Sequence, residues 1–203
     1  MPTLLHLDVS PRSASVSSAL TAQFASDWSR KNPGGKVIHH NTSTDGLLFV
    51  DEATIVAAYT PAEALTPEQR QTLALSNKLI DELVAADTIL LGVPMWNFGV
   101  PASLKAWVDL VVMPGKTFAY GPNGPQGLLD PAKKVYIAVA RGGAYSGDSP
   151  YKPYDLQEPY LRGILGFMGL TDITFIYAEN QNRPDAAAAG RQHAQAAVAA
   201  IFA

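Results

Sequence analysis

The chain contains no cysteine. That absence removes disulfides, thiolate nucleophiles and cysteine metal sites together, and it fits a reducing compartment. Charge is also scarce: Asp, Glu, Lys and Arg make up 16% of the residues, against an ordinary share of about 25%. The surface is therefore weakly polar, which favours self-association. The net charge is −3, and the basic residues come no closer to a cluster than the pairs Arg30-Lys31 and Lys133-Lys134. With no basic stripe, nucleic acid is excluded as a partner. No apolar run approaches the ~18 residues of a membrane-spanning helix. Met1-Pro2-Thr3 leads into a short strand-like run rather than a signal peptide, so a cytoplasmic protein without a membrane partner is expected. Neither a G-x-G-x-x-G turn nor a P-loop glycine-lysine pattern occurs. His6, His39, His40 and His193 show no ligand spacing. His39 and His40, adjacent on one strand, point to opposite faces, so no metal site is expected.

What is present is a pattern of short apolar runs alternating with helical segments. Hydrophobic residues make up 47% of the 203 positions, enough for the core of one domain spanning residues 1–203. The runs are Leu4–Leu7, Lys36–His40, Thr88–Val93, Val135–Ala140 and Ile173–Tyr177. The central ones are apolar almost throughout, as in strands covered on both faces. Helices are predicted from Ser17 to about Asn32, from the capping box Thr66-Pro67-Glu68-Gln69 to about Ala86, from Pro101, over Tyr154 to Met168, and over Pro184 to Phe202. The second carries the stripe Leu73, Ser76, Leu79, Ile80, Leu83; the third carries Leu104, Trp107, Val108, Val111. The alternation specifies the α/β class: an open, parallel, five-stranded sheet with helices on both faces, in the order 2-1-3-4-5 of flavodoxin-like folds. Two connections are long. Residues 42–65 should hold a short helix near Asp51–Ala58, and residues 114–131 form a Gly/Pro-rich excursion.

In such sheets ligands bind outside the C-terminal strand ends, where three loops should meet. The first, Asp8 to Ser17, holds Ser10, Ser13, Ser15, Val16 and Ser17 ahead of a helix. Hydroxyls, free N–H groups and the helix dipole would suit a terminal phosphate monoester such as that of FMN better than a pyrophosphate. The plainer reading is a loop with Ser17 as N-cap. The second loop, Pro94-Met95-Trp96-Asn97-Phe98-Gly99-Val100-Pro101, offers an apolar wall for a planar ring, with Asn97 for its polar edge. Packing of Trp96 and Phe98 into a core or subunit interface is the competing reading. The third, Ala140-Arg141-Gly142-Gly143-Ala144-Tyr145, lets backbone N–H groups approach a ligand closely, and the competing reading is an ordinary Gly-Gly turn with Arg141 in a salt bridge. Lys105 and Asp109 read as a surface pair, and so does Arg162 with a neighbour.

Taken together, these motifs make the chain resemble the bacterial FMN-dependent NADH azoreductases, also described as FMN-dependent NADH:quinone oxidoreductases. The likeness runs nearly the whole length. It is carried by Pro94–Phe98, Leu104–Leu110, Asn123–Leu128, Arg141-Gly142-Gly143, Pro159-Tyr160-Leu161 and Leu165–Asp172. The resemblance implies a homodimer with two FMN sites at the subunit interface. It also implies ping-pong turnover, in which NADH or NADPH reduces FMN and a quinone or azo compound takes the electrons. It places the FMN phosphate on Ser10, Ser15 and Ser17, the ring against Met95 to Phe98 and Ala140 to Gly143, and an aromatic over the site at Tyr120. Tyr145 and Tyr120 would wall the substrate slot or donate a proton. The chain departs from the family pattern where Trp96 replaces a common tyrosine, where Ala140 replaces a common serine, and at Ala144-Tyr145. A one-electron flavodoxin-like carrier or a non-enzymatic dimeric FMN-binding module are the alternatives.

Overall fold

The structure, a computed structural model, describes residues 1–47 and 49–203. Five strands form a parallel sheet: β1 (Thr3–Asp8), β2 (Lys36–Asn41), β3 (Thr88–Pro94), β6 (Lys134–Ala140) and β7 (Asp172–Ala178). Their order across the sheet is β2-β1-β3-β6-β7. Two strands absent from the sequence reading, β4 (Phe118–Gly121) and β5 (Gly124–Gly127), pair as an antiparallel hairpin. The hairpin occupies the Gly/Pro-rich excursion and moves the last two sheet strands from fourth and fifth to sixth and seventh in chain order. Each strand is only four residues long and β5 reads Gly-Pro-Gln-Gly, too short and too glycine-rich for periodicity to mark a strand.

The helices are α1 (Val16–Lys31), α2 (Glu52–Tyr59), α3 (Pro67–Thr72), α4 (Ala74–Ala85), α5 (Ala102–Val111), α6 (Gln157–Phe167) and α7 (Ala187–Ile201). Side-chain alternation along the strands divides the core in two. Leu5, Leu7, Ile89, Leu91, Val93, Val135, Ile137 and Val139 face the layer of α4, α5 and α6, meeting Leu79, Leu83, Leu104, Trp107, Leu161 and Leu165. Leu4, Leu90 and Ala138 face α1 and α7, meeting Leu20, Phe24, Trp28, Ala194 and Val198. Each large aliphatic side chain buried this way contributes roughly 1.5–3 kcal/mol.

Three boundaries differ from the sequence reading. The capping box at Thr66 and Gln69 is present, but the segment it starts is two helices. The chain tightens at buried Leu73, whose N–H donates to the carbonyls of both Gln69 and Gln71. The helix predicted from Tyr154 begins at Gln157, after a 3-10 turn over Lys152–Tyr154. The N-cap of α1 is Ser15, two residues before the expected Ser17. Among the described residues, no helix is long and apolar enough to cross a membrane.

Candidate functional site

β1, β3 and β6 end side by side, and the loops that leave them line one cleft of about 460 Å³. Its first wall is Ser10, Arg12, Ala14, Ser15 and Val16; its second is Pro94, Met95 and Trp96; its third is Ala140, Arg141 and Gly142. Gln181, Asn182 and Arg191 close the side toward α7.

The first wall ends in the N-terminus of α1. Ser15 Oγ accepts from the Ser18 N–H at 3.3 Å, while Ser15 Oγ and Ser17 Oγ share a buried hydrogen bond of 3.1 Å. Among the described residues, no acceptor meets the N–H groups of Ala14, Ser15, Val16 and Ser17. Those of Ala14, Ser15 and Val16, which line the cleft at the positive end of a sixteen-residue helix, form an anion cradle. Ser17 is fully buried behind the cleft surface, so it supports Ser15 rather than lining the space.

The second wall is held by backbone geometry. The Met95 N–H donates to the Ala140 carbonyl at 2.8 Å, joining the second loop to the third. Trp96 and Gly99 exchange two backbone hydrogen bonds of 3.1 and 3.0 Å around Asn97 and Phe98, both at positive φ (48° and 68°). Asn tolerates that region, but for Phe98 it costs on the order of 1 kcal/mol or more. The strain is held in place from outside: the Leu156 N–H donates to the Phe98 carbonyl at 3.0 Å. This turn lifts Asn97 and Phe98 off the cleft lining. Phe98, 43% exposed, packs instead against Tyr154 and Tyr145, with ring centroids 5.3 and 6.3 Å away.

The third wall presents backbone, and its arginine turns away. Arg141 is completely buried in a cage of acids: Nη2 lies 3.0 Å from Asp155 and 3.8 Å from Glu158, and Nη1 lies 3.6 Å from Glu179. Its Nε donates to Gln157 Oε1 at 3.2 Å, and its guanidinium lies 5.1 Å from the Tyr177 ring centroid. So of the two readings for Arg141, the salt bridge describes its side chain, and only its backbone borders the cleft. Glu179 also accepts from the N–H groups of Tyr145 and Ser146 at 2.7 and 3.0 Å, clasping the loop. The Tyr177 hydroxyl donates to Glu158 at 2.8 Å, and burial, followed by that carboxylate, pushes the phenol up to about 12. Among the described residues, the N–H groups of Gly142 and Gly143 meet no acceptor. A Cβ on Gly142 would sit 2.6 Å from Asn182 Nδ2, so a side chain there would displace the Asn182 amide.

Gln157 was not legible as a site residue. Fully buried, it accepts from Arg141 and donates to the Pro94 carbonyl at 3.1 Å, bracing the second and third walls from the start of α6. Nothing in sequence separates such a glutamine from a surface one. Arg12, Gln181, Asn182 and Arg191 were missed for the same reason. Of the two predicted substrate tyrosines, Tyr145 lies against Gly143 and Phe98, whereas Tyr120, 71% exposed, stands on the hairpin beside Phe118. Neither lines the cleft. The expected surface pairs form, Lys105 with Asp109 and Arg162 with Glu158.

Residues 2–201 match a family profile described as the flavodoxin-like fold. An FMN-dependent NADH:quinone oxidoreductase from Nostoc sp. is 47% identical over 183 residues, covering 90% of this chain and 88% of its own. A protein of the same description from Paraburkholderia phymatum is 44% identical over 202 residues, covering 98% and 100%. The chain belongs to the FMN-dependent NADH:quinone oxidoreductase family. Among solved structures, an azoreductase from Bacillus anthracis superposes with a TM-score of 0.90 at 28% identity, covering 100% of this chain and 99% of that one. Membership in this quinone oxidoreductase family agrees with the resemblance carried by the loop motifs and adds the scale of the match.

Proposed function

We propose that the protein is an FMN-dependent oxidoreductase that uses NADH or NADPH to reduce quinones and azo compounds. The observation that carries this reading is the cleft itself: an anion cradle of unpaired N–H groups at one end, an apolar Pro94-Met95-Trp96 wall along it, and free glycine amides opposite. That donor set fits FMN. A phosphate monoester takes the cradle of Ser10, Ser15 and Val16, with Ser17 behind it, and a planar ring takes the wall of Pro94, Met95 and Trp96. The open N–H groups of Gly142 and Gly143, with Ala140 and the Arg141 backbone, suit the ring edge where negative charge accumulates. FMN held there would supply the two-electron redox chemistry linking nicotinamide to acceptor in a ping-pong cycle. The chain's own contribution is binding, orientation and exclusion of water. The Arg141 cage and Gln157 hold two walls at fixed separation, and the Phe98 turn keeps its neighbours in register.

The whole chain, residues 1–203, works as one FMN-binding domain and as a cytoplasmic homodimer. Exposed Phe98, Tyr120, Tyr151, Tyr154 and Leu156 support the self-association, because a low-charge surface carrying large apolar side chains gains by covering them. Tyr145 flanks the substrate slot beside Phe98, and Tyr120 offers a second ring free to meet substrate. No protein nucleophile is required. The test is to strip the flavin and reconstitute it. NADH oxidation with a quinone acceptor should vanish on stripping and return with FMN. Full-rate oxidation by the stripped protein would refute the reading, and an electron carrier would oxidise NADH only negligibly in either form.

A further inference from the structure

One cluster of titratable groups is not used by the cleft. β1 and β2 pair in parallel with His6 opposite His39, and Asp8 follows two residues later on the same face of β1. One ligand atom from each of the three residues lies within 4.8 Å of the other two. His39 Nε2 is 3.0 Å from Asp8 Oδ2, and His6 Nε2 is 3.5 Å from the same oxygen. In a tetrahedral site with bonds near 2.0–2.1 Å, neighbouring donor atoms lie about 3.3–3.5 Å apart, and the two His–Asp distances already lie close to that range.

Three features point to a ligand rather than a plain hydrogen-bonded network. His6 Nε2 is buried and makes no hydrogen bond among the described residues, although it faces the cluster. The two oxygens of Asp8 are divided: Oδ1 accepts from Thr21 Oγ1 at 2.9 Å, and Oδ2 turns to both imidazoles. A carboxylate oriented by an outer hydroxyl in this way is the usual support of a metal ligand. Room for it comes from Gly92 on the adjacent strand, where a Cβ would sit 2.8 Å from Asp8 Oδ1. Access comes from the edge position of β2, since the His39 side chain is 51% exposed whereas those of His6 and Asp8 are 7% and 11% exposed.

We propose that His6, Asp8 and His39 form a binding site for a divalent first-row transition ion of the zinc type, with water completing the coordination. Two imidazoles and one carboxylate are a borderline donor set that favours zinc over magnesium or calcium. The ion would tie the edge strand β2 to β1, one turn of chain ahead of the anion cradle.

The test uses the FMN-loaded protein titrated with zinc chloride in a calorimeter. One ion per chain should bind, tenfold or more weakly in His39→Ala. Thr21→Val, which removes the outer hydroxyl, should lower the affinity by about 10- to 100-fold. His40→Ala is the control: His40 bridges Asp45 and Glu82 on the opposite face and should leave binding unchanged. Binding that survives His39→Ala, that depends on His40, or that fails to saturate at one equivalent overturns the proposal. Cobalt(II) added to the unmodified protein gives an independent readout. Intense absorption in the red, beyond the flavin bands, is expected of four-coordinate cobalt, and a spectrum like that of the aquated ion would count against the site.

Discussion

The two faces of the sheet are built from the same strands and do different things. On the α4–α5–α6 face, β1 contributes Leu5 and Leu7 and stays apolar to its end, and the layer takes in charge only past β6, where buried Arg141 meets Gln157 and Glu158 of α6. On the α1–α7 face, the same strand contributes Leu4, then His6, then Asp8, so the layer turns polar toward the C-terminal edge. The α4–α5–α6 face holds β1 to the sheet by apolar packing alone, while the other gives up packing where His6 and Asp8 meet His39. The difference shows that the buried ionisable groups of both layers sit at the C-terminal strand ends, carried by β1 on one face and by the chain just past β6 on the other.

The largest effect should come from the apolar face. Trp107→Ala, at a position 2% exposed, should lower unfolding free energy by about 3–5 kcal/mol in urea titrations. The FMN affinity of the folded fraction should not change, and a parallel loss of flavin binding would break the distinction between the faces.

Next comes the polar end of the other face. Burial raises the Asp8 carboxyl, but the nearby His6 ring and the hydrogen bonds of His39 and Thr21 outweigh it, holding the group at about 2. A depressed carboxylate stabilises the fold above its ordinary value near 3.8, and the benefit is lost as pH falls from there toward about 2. The wild type should therefore lose on the order of 1–2 kcal/mol across that window beyond what Asp8→Asn loses, as read from denaturant midpoints at successive pH values. Identical acid limbs would show that the cluster contributes nothing.

A smaller change is expected at the helix end. Ser15→Ala removes the α1 cap and should cost about 1 kcal/mol in thermal unfolding, with FMN binding weakened roughly five- to tenfold by fluorescence titration. The smallest stability effect should be Phe98→Gly. Relief of the positive-φ strain, about 1 kcal/mol, offsets the lost aromatic contacts with Tyr145 and Tyr154, about 0.5–1.5 kcal/mol. The urea midpoint should hardly move, while kcat/KM for quinone falls.

Much of the site was legible in the sequence because it lies in loops at strand ends, where chain order alone predicts proximity. Ser10, Ser15, Val16, Pro94, Met95, Trp96, Ala140 and Gly142 were all read from three loops, and all border the cleft. What escaped was set by partners far away in sequence. Gln157 braces two walls from α6, and Arg141 faces Asp155 just before α6, Glu158 within it and Glu179 just past β7. The histidines are the clearest case. No spacing joins His6 to His39, yet strand register sets them opposite each other.

By itself, then, the sequence determined the alternation of strands and helices, the two-faced core and the three loops that meet. These follow from local periodicity and turn chemistry, which each segment carries on its own. Only the tertiary structure decided which way Arg141 points, which serine caps α1, that a hairpin fills residues 118–127, and that two histidines share an aspartate. The arginine and the histidines depend on a charge or a strand register supplied by a distant part of the chain, while the cap and the hairpin are local features that carry no distinguishing pattern of periodicity.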